Sequence, residues 1–198
     1  MGTSPFSLLL RGVRQRAGGD TRRRITLSKR VERSSPIEVI PYALWICSTG
    51  GAGHVSSIVV TWVTQLSFSP QLIGMSLETG SEFLVQVRNN GSFTLAMLPR
   101  EGGKDIAKRI MKAGAMPLPP AFAELFRTDS SWYGAPHGAL GALRCTVSAL
   151  TPTGDHTLVT GTVLGEERWI EGNPLHLSDT GWRYTKPGAE APPTPSQD

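Results

Sequence analysis

The chain has 198 residues, 39% of them hydrophobic and 18% charged, which is enough apolar content for one packed domain and too much for wholesale disorder. No apolar run reaches the roughly 18–20 residues of a membrane-spanning helix, so a soluble, cytoplasmic chain with no membrane partner is expected. The formal charge of +4 hides an asymmetry: residues 1–34 hold nine Lys/Arg against Asp20 and Glu32, a net +7, and the remainder holds eleven against fourteen, a net −3; the basic character belongs to a tail, and nucleic acid is not the expected partner of the body.

Residues 1–35 read as a disordered basic extension. Gly12, Gly18 and Gly19 interrupt any helix, and the Phe6–Leu10 patch is short and precedes its charges, unlike a secretory signal. No aromatics interleave with the arginines, as a polyanion-binding arm would have. The Arg-rich, acid-poor composition also suits organelle import, which stays open. At the other end, residues 187–198 are rich in proline and small residues and read as a second disordered tail. The folded domain is expected over residues 36–186.

Within the body, Ile37–Ser48 reads as a strand with an irregularity at Pro41, and Thr49–Gly53 as a turn. Val55–Gln65 is β-branched almost throughout and reads as one long strand. Ser69-Pro70 breaks it, and Leu72–Leu77 follows as a short apolar strand. Ser81 can cap a helix with Leu84 and Val87 inward and Asn90-Gly91 at its end. Phe93–Leu98 is a strand. Lys104–Ala113 carries Ile106, Ala107, Ile110 and Met111 at helical spacing, and Pro117, Pro119 and Pro120 then force a loop. Leu140–Leu150 and His156–Val163 are strands joined through Pro152–Asp155. Short strands at Arg168–Ile170, Leu175–Leu177 and Trp182–Tyr184 complete the set. Many short strands with two small helices predict a mainly β barrel with helical cover.

Several chemistries lack their residues. No G-x-G-x-x-G opens a helix after a strand, and no P-loop occurs. The four histidines are scattered without metal-ligand spacing, so no metal site is expected. Cys47 and Cys145 fall inside strands and read as small buried hydrophobes.

Two stretches carry information. In Thr61-Trp62-Val63-Thr64-Gln65-Leu66-Ser67-Phe68-Ser69-Pro70, hydroxyls, an amide and a large aromatic cluster at a strand end. They suit either an ordinary edge strand beside a core tryptophan, or a wall for a planar ligand with polar substituents. In Leu77-Glu78-Thr79-Gly80-Ser81-Glu82-Phe83 a strand turns into a helix start. The free amides there, with Thr79 and Ser81, suit a phosphate, and plain capping by Ser81 serves equally. Arg88 either adds positive charge or is a solvated surface residue.

These stretches, together with Gly154-Asp155-His156-Thr157-Leu158-Val159-Thr160-Gly161-Thr162-Val163, Pro174-Leu175 and Gly181–Tyr184, resemble in order the flavin reductase-like proteins of the FMN-binding split-barrel superfamily. The resemblance implies a six-stranded antiparallel split β-barrel with a few short helices. It implies an NAD(P)H:flavin oxidoreductase using FMN, or alternatively FAD, as a homodimer that can supply reduced flavin to an oxygenase. Trp62, Val63, Thr64 and Gln65 would then border the isoalloxazine and ribityl chain, with Thr61 and Ser67 as neighbours. Thr79 and Ser81 would meet the phosphate, with Arg88 nearby. His156 would be the candidate catalytic residue near the flavin or nicotinamide; a structural histidine bonded across strands fits as well. The chain departs from the family pattern at Ser57, Val59 and Ala96. Those departures keep open a binding module for haem or a protein partner, and a flavin-binding electron carrier is a separate alternative.

Overall fold

The computed structural model describes residues 36–51, 54–113, 117, 119–127, 129 and 131–182. The expectations for residues 1–35 and 187–198, and for a strand beyond Trp182, lie outside them. Residues 42–180 form one compact unit, and residues 36–41 and 181–182 belong to another. In the latter, Pro36–Val39 is a 3-10 helix followed by a bond from the Ile40 amide to the Ile37 carbonyl. The strand expected from Ile37 therefore starts only at Trp45. Pro36 suits a helical first position, and neither it nor Pro41 can donate to a ladder.

The larger unit opens with β1 (Trp45–Gly51) and β2 (His54–Val60), an antiparallel pair in which Trp45 faces Val60. Next comes β3 (Val63–Phe68), then β4 (Gln71–Glu78) after a cis Ser69-Pro70 turn. The single strand expected over Val55–Gln65 is thus two strands, broken at Thr61-Trp62, where the Val63 amide folds back onto the Thr61 carbonyl at 3.0 Å.

Helix α1 (Glu82–Asn90) begins where expected: the Ser81 hydroxyl accepts the Leu84 amide at 3.2 Å, and Gly91 closes the helix at φ 63°. Its buried face is Phe83, Leu84 and Val87; each such side chain contributes about 1.5–3 kcal/mol by leaving water. β5 (Ser92–Met97), α2 (Gly103–Ala113) and a 3-10 helix at Pro120–Leu125 follow. Then come the long hairpin strands β6 (Gly141–Thr153) and β7 (His156–Arg168), turning on Gly154-Asp155, and the short helix α3 (Leu177–Thr180). The late strands expected at Arg168–Ile170 and Leu175–Leu177 are absent. Arg168 ends β7, and Pro174 and His176 make only isolated bridges to Pro99 and Ala43, since a proline cannot continue a ladder.

The strand order β2-β1-β5-β6-β7-β4-β3 is antiparallel throughout and has seven strands rather than six. β2 and β3 stand at its two ends, yet only Thr61 and Trp62 separate them in sequence. Laid flat, strands about 4.8 Å apart would put those ends about 29 Å from each other. Three Cα–Cα steps of about 3.8 Å reach only about 11 Å. The sheet must therefore roll until its ends meet at Thr61-Trp62, and no ladder joins β2 to β3 there. This is a split barrel. Its interior holds Cys47, Ile73, Met75, Phe83, Leu95 and Val159 among others. Among the described residues no helix is long and apolar enough to cross a membrane.

Both cysteines are free and buried in this core. Burial pushes the Cys145 thiol up to about 12 and raises that of Cys47 well above its ordinary value, the nearby Cys145 adding to it. The folded chain thus keeps protons that the unfolded chain releases above about pH 8.5. The associated stability is complete below that pH and is lost as pH climbs toward the folded values. A thiol reagent at pH 8 is expected to label neither cysteine in the native protein and both after unfolding, and denaturant midpoints should fall above pH 9. Fast native labelling would contradict the burial of these thiols.

Candidate functional site

The rolled sheet brings its seam, the β4–α1 turn and the β6–β7 turn together. Trp62, half-buried at the seam, is tied to β4 by a 3.0 Å bond from the Ser76 amide to its carbonyl. Its ring lies 4.7 Å from that of His156, tilted by 44°, and 6.4 Å from that of Tyr42. His156 is the first residue of β7, opposite Glu78 on β4 and Thr153 on β6. Its Nδ1 is 2.7 Å from the Asp155 carboxylate, and its side chain is 11% exposed against 59% for Asp155. The two turns are joined as well: the Thr79 amide donates to the Asp155 carbonyl at 3.0 Å, and the hydroxyls of Thr79 and Thr157 share a bond of 2.8 Å.

The remaining residues named from sequence are distributed around this cluster. Along β3 the side chains alternate between faces. Val63 packs against the core. Thr64, opposite Gly74, lies on the outer face, where Leu66 and Leu158 close around Gly74. Thr64 and Gln65 are exposed and Thr61 and Ser67 half-buried. The Thr64 hydroxyl and Gln65 amide make only long 3.4 Å bonds to the Gln65 and Ser67 carbonyls. Ser81 is buried and serves as the helix cap. Arg88 is exposed in the last turn of α1, about 9 Å along the axis from the helix start. There it complements the helix dipole and is not brought to the Thr79–Ser81 turn.

The electrostatics of that turn are mixed. The first amides of α1 favour an anion, whereas Glu78 and Glu82 adjoin the turn in sequence and Asp155 is bonded to it. No three His, Cys, Asp or Glu side chains among the described residues could share a metal ion. A cavity of about 180 Å3 lies on another part of the sheet, beside Ser48, Thr94, Tyr133 and Arg144. Its Ser48 and Thr94 hydroxyls are already bonded to the Gly134 and Tyr133 carbonyls, which pins Tyr133-Gly134 to β1 and β5.

Sequence reasoning missed Asp155, Tyr42 and Thr157. Asp155 was visible beside His156, but its carboxylate contact depends on the tightness of the hairpin turn. Tyr42 carried no sequence signal, because its approach to Trp62 depends on closure of the barrel.

The arrangement offers an aromatic and imidazole surface, flanked by exposed hydroxyl and amide donors and by a helix start. Such a surface fits a planar heterocycle carrying a polar chain. Comparison with known proteins points the same way. The model of the family described as flavin reductase like domain matches residues 37–183. The reductase component of 4-hydroxyphenylacetate 3-monooxygenase from Thermus thermophilus is 32% identical over 126 residues, 64% of this chain and 76% of its own. An NADH-dependent flavin reductase of a Rhodococcus species is 33% identical over 115 residues, 57% of this chain and 60% of its own. Among solved structures, an NADH:FAD oxidoreductase of Streptomyces globisporus superposes with a TM-score of 0.64 at 21% identity, covering 76% of this chain and 89% of the other. BorF, the flavin reductase component of a bacterial two-component tryptophan halogenase, gives 0.65 at 19% identity, with 74% and 92% covered. At those identities the structural likeness speaks for the fold.

Proposed function

The chain belongs to the flavin reductase-like family, and we propose that it passes hydride from NAD(P)H to a flavin at the Trp62–His156 surface. The observation that carries this reading is the junction of the Trp62–His156 ring pair with the exposed donors of β3 and the α1 start. The chemistry a bound flavin supplies is two-electron hydride acceptance from a reduced nicotinamide. What the chain must add is proximity and orientation, and no acid–base dyad is needed for the hydride step. Trp62 provides the apolar face for the ring system. Thr64 and Gln65, with Thr61 and Ser67 at their flanks, supply donors for its heteroatoms and ribityl chain. The amides at the start of α1 and the Thr79 hydroxyl meet the phosphate, while Ser81 holds that turn in shape. FMN is the proposed flavin, and FAD is the alternative ligand.

The surface is open in a single copy. β3 is an outer strand, and Leu66 and Phe68 on it are 45% and 88% exposed. A second copy of the chain would cover these residues and enclose the flavin, so a homodimer is part of the proposal. Two of the relatives are named as reductase components of an oxygenase and a halogenase; by the same logic this chain delivers reduced flavin to a separate oxygenase in the cytoplasm.

The test pairs steady-state NADH and NADPH oxidation, with FMN or FAD added, with flavin titration of the Thr64→Ala/Gln65→Ala double variant. The expected result is flavin-dependent turnover in the wild type and flavin affinity weakened about tenfold or more in the variant, the value of one or two hydrogen bonds. Near-normal FMN affinity in the variant would remove the β3 assignment. Thermal stabilisation by FMN without turnover would favour a carrier.

A further inference from the structure

We infer that Thr157 is a positioning residue: its buried hydroxyl donates to Thr79 Oγ1 and so turns the Thr79 proton outward, as a donor for the flavin's phosphate. The inference rests on the reading of the β4–α1 turn as the phosphate end of the flavin site. Thr157 is the second residue of β7 and is 4% exposed. Strand alternation puts it on the same inward face as Val159, a core residue. Its cross-strand neighbours are Leu77 on β4 and Pro152 on β6, and neither offers a side-chain acceptor. Among the described residues its hydroxyl has one partner, the Thr79 hydroxyl at 2.8 Å.

A pair of hydroxyls can share its bond in two ways. If Thr79 donates, the Thr157 proton stays inside the barrel without an acceptor, at the full cost of a buried bond left unmade. If Thr157 donates, its proton is satisfied and the Thr79 proton points to the outside, because Thr79 is exposed. Burial therefore decides the direction. The backbone holds the pair together: the Thr79 amide donates to the Asp155 carbonyl at 3.0 Å, which fixes the β4–α1 turn on the β6–β7 turn. A hydroxyl that receives one bond also donates its own more strongly.

This direction matters because the turn is poor in positive charge. Glu78 and Glu82 adjoin it in sequence, and the one basic residue of α1, Arg88, lies in the last turn of that helix. An anion must then be held by neutral donors: the Thr79 hydroxyl and the first amides of α1, which have no partner within the helix. A hydroxyl turned as acceptor repels phosphate oxygens, and one turned as donor binds them. Thr157 thereby favours a phosphorylated flavin over riboflavin without touching either.

The experiment uses the full chain and its Thr79→Val, Thr157→Val, Thr157→Ser and Thr79→Val/Thr157→Val variants. Fluorescence titration with FMN and with riboflavin reads the contribution of the phosphate, and ligand-free thermal melts read the fold. FMN affinity is expected to fall about tenfold in Thr79→Val and about fivefold in Thr157→Val, each on the scale of one hydrogen bond, with riboflavin affinity unchanged. Thr157→Ser should keep the wild-type preference for FMN, and the double variant should lose no more than Thr79→Val alone. Thr79→Val should also lower Tm, since it strips the buried Thr157 of its acceptor, and adding Thr157→Val should restore it. A wild-type FMN-to-riboflavin ratio in Thr157→Val, with that ratio lost in Thr79→Val, would overturn the positioning role alone. Equal losses for both flavins in Thr157→Val would mark a structural residue and overturn it as well. An unchanged ratio in Thr79→Val would instead move the phosphate away from this turn and sink that part of the functional reading, and the inference with it.

Discussion

Trp62→Ala is expected to weaken flavin binding on the order of a hundredfold, about 2–3 kcal/mol, the size of effect seen when a central aromatic anchor is truncated. The indole is a half-buried aromatic face at the seam, and it packs 4.7 Å from the His156 ring. Removing it takes away the face for a planar ligand and loosens the imidazole beside it. The fold should survive, because Trp62 is only half-buried and its tie to β4 runs through its backbone carbonyl. Trp62→Phe should recover much of the affinity. Flavin titration by fluorescence, with a thermal melt as control, reads both effects. Wild-type affinity in Trp62→Ala would move the ligand away from the seam.

The second large effect concerns the barrel itself. Gly161 sits mid-strand in β7 opposite Ile73 and Val147. A Cβ there would lie 2.5 Å from Phe93 Cζ, 2.9 Å from its Cε1 and 3.1 Å from the Cys145 Cβ. Phe93 is buried and cannot swing out, so Gly161→Ala overpacks the core at a cost of about 1–3 kcal/mol, lowering Tm by roughly 3–10 °C in a chain of this size. Gly161→Val should be worse and barely fold. Adding Phe93→Leu to Gly161→Ala should restore part of the loss, a coupling that independent sites would not show. A melt of Gly161→Ala identical to wild type would mean that Phe93 does not pack over this strand.

Much of this architecture was readable where local chemistry decides it. Ser81 and Asn90-Gly91 bracket α1 because capping is local. The apolar spacing from Ile106 to Ile110 marks α2 because one helix face is buried. The β6–β7 hairpin follows from its glycine turn, and Cys47 and Cys145 are buried as their strand settings implied. The failures occur where tertiary closure overrides local signals. Nothing in the β-branched run from Val55 to Gln65 marks a break, because Thr61-Trp62 is bent by the rolling of the sheet. Ile37–Val39 has strand-forming residues, but Pro36 starts a helical turn there. At the site, Trp62 and His156 were both named from sequence, yet their contact exists only because β4 lies between β3 and β7. Arg88, read from sequence as lying about two turns into the helix and as either a source of positive charge or a solvated surface residue, is exposed in the last turn of α1.

The most direct measurement is anaerobic: mix the protein with one equivalent of FMN or FAD, add NADH or NADPH, and follow the flavin absorbance. The account predicts rapid bleaching with the wild type and a much slower decay with Trp62→Ala. Bleaching no faster than in protein-free solution, for both flavins and both nicotinamide donors, would contradict it.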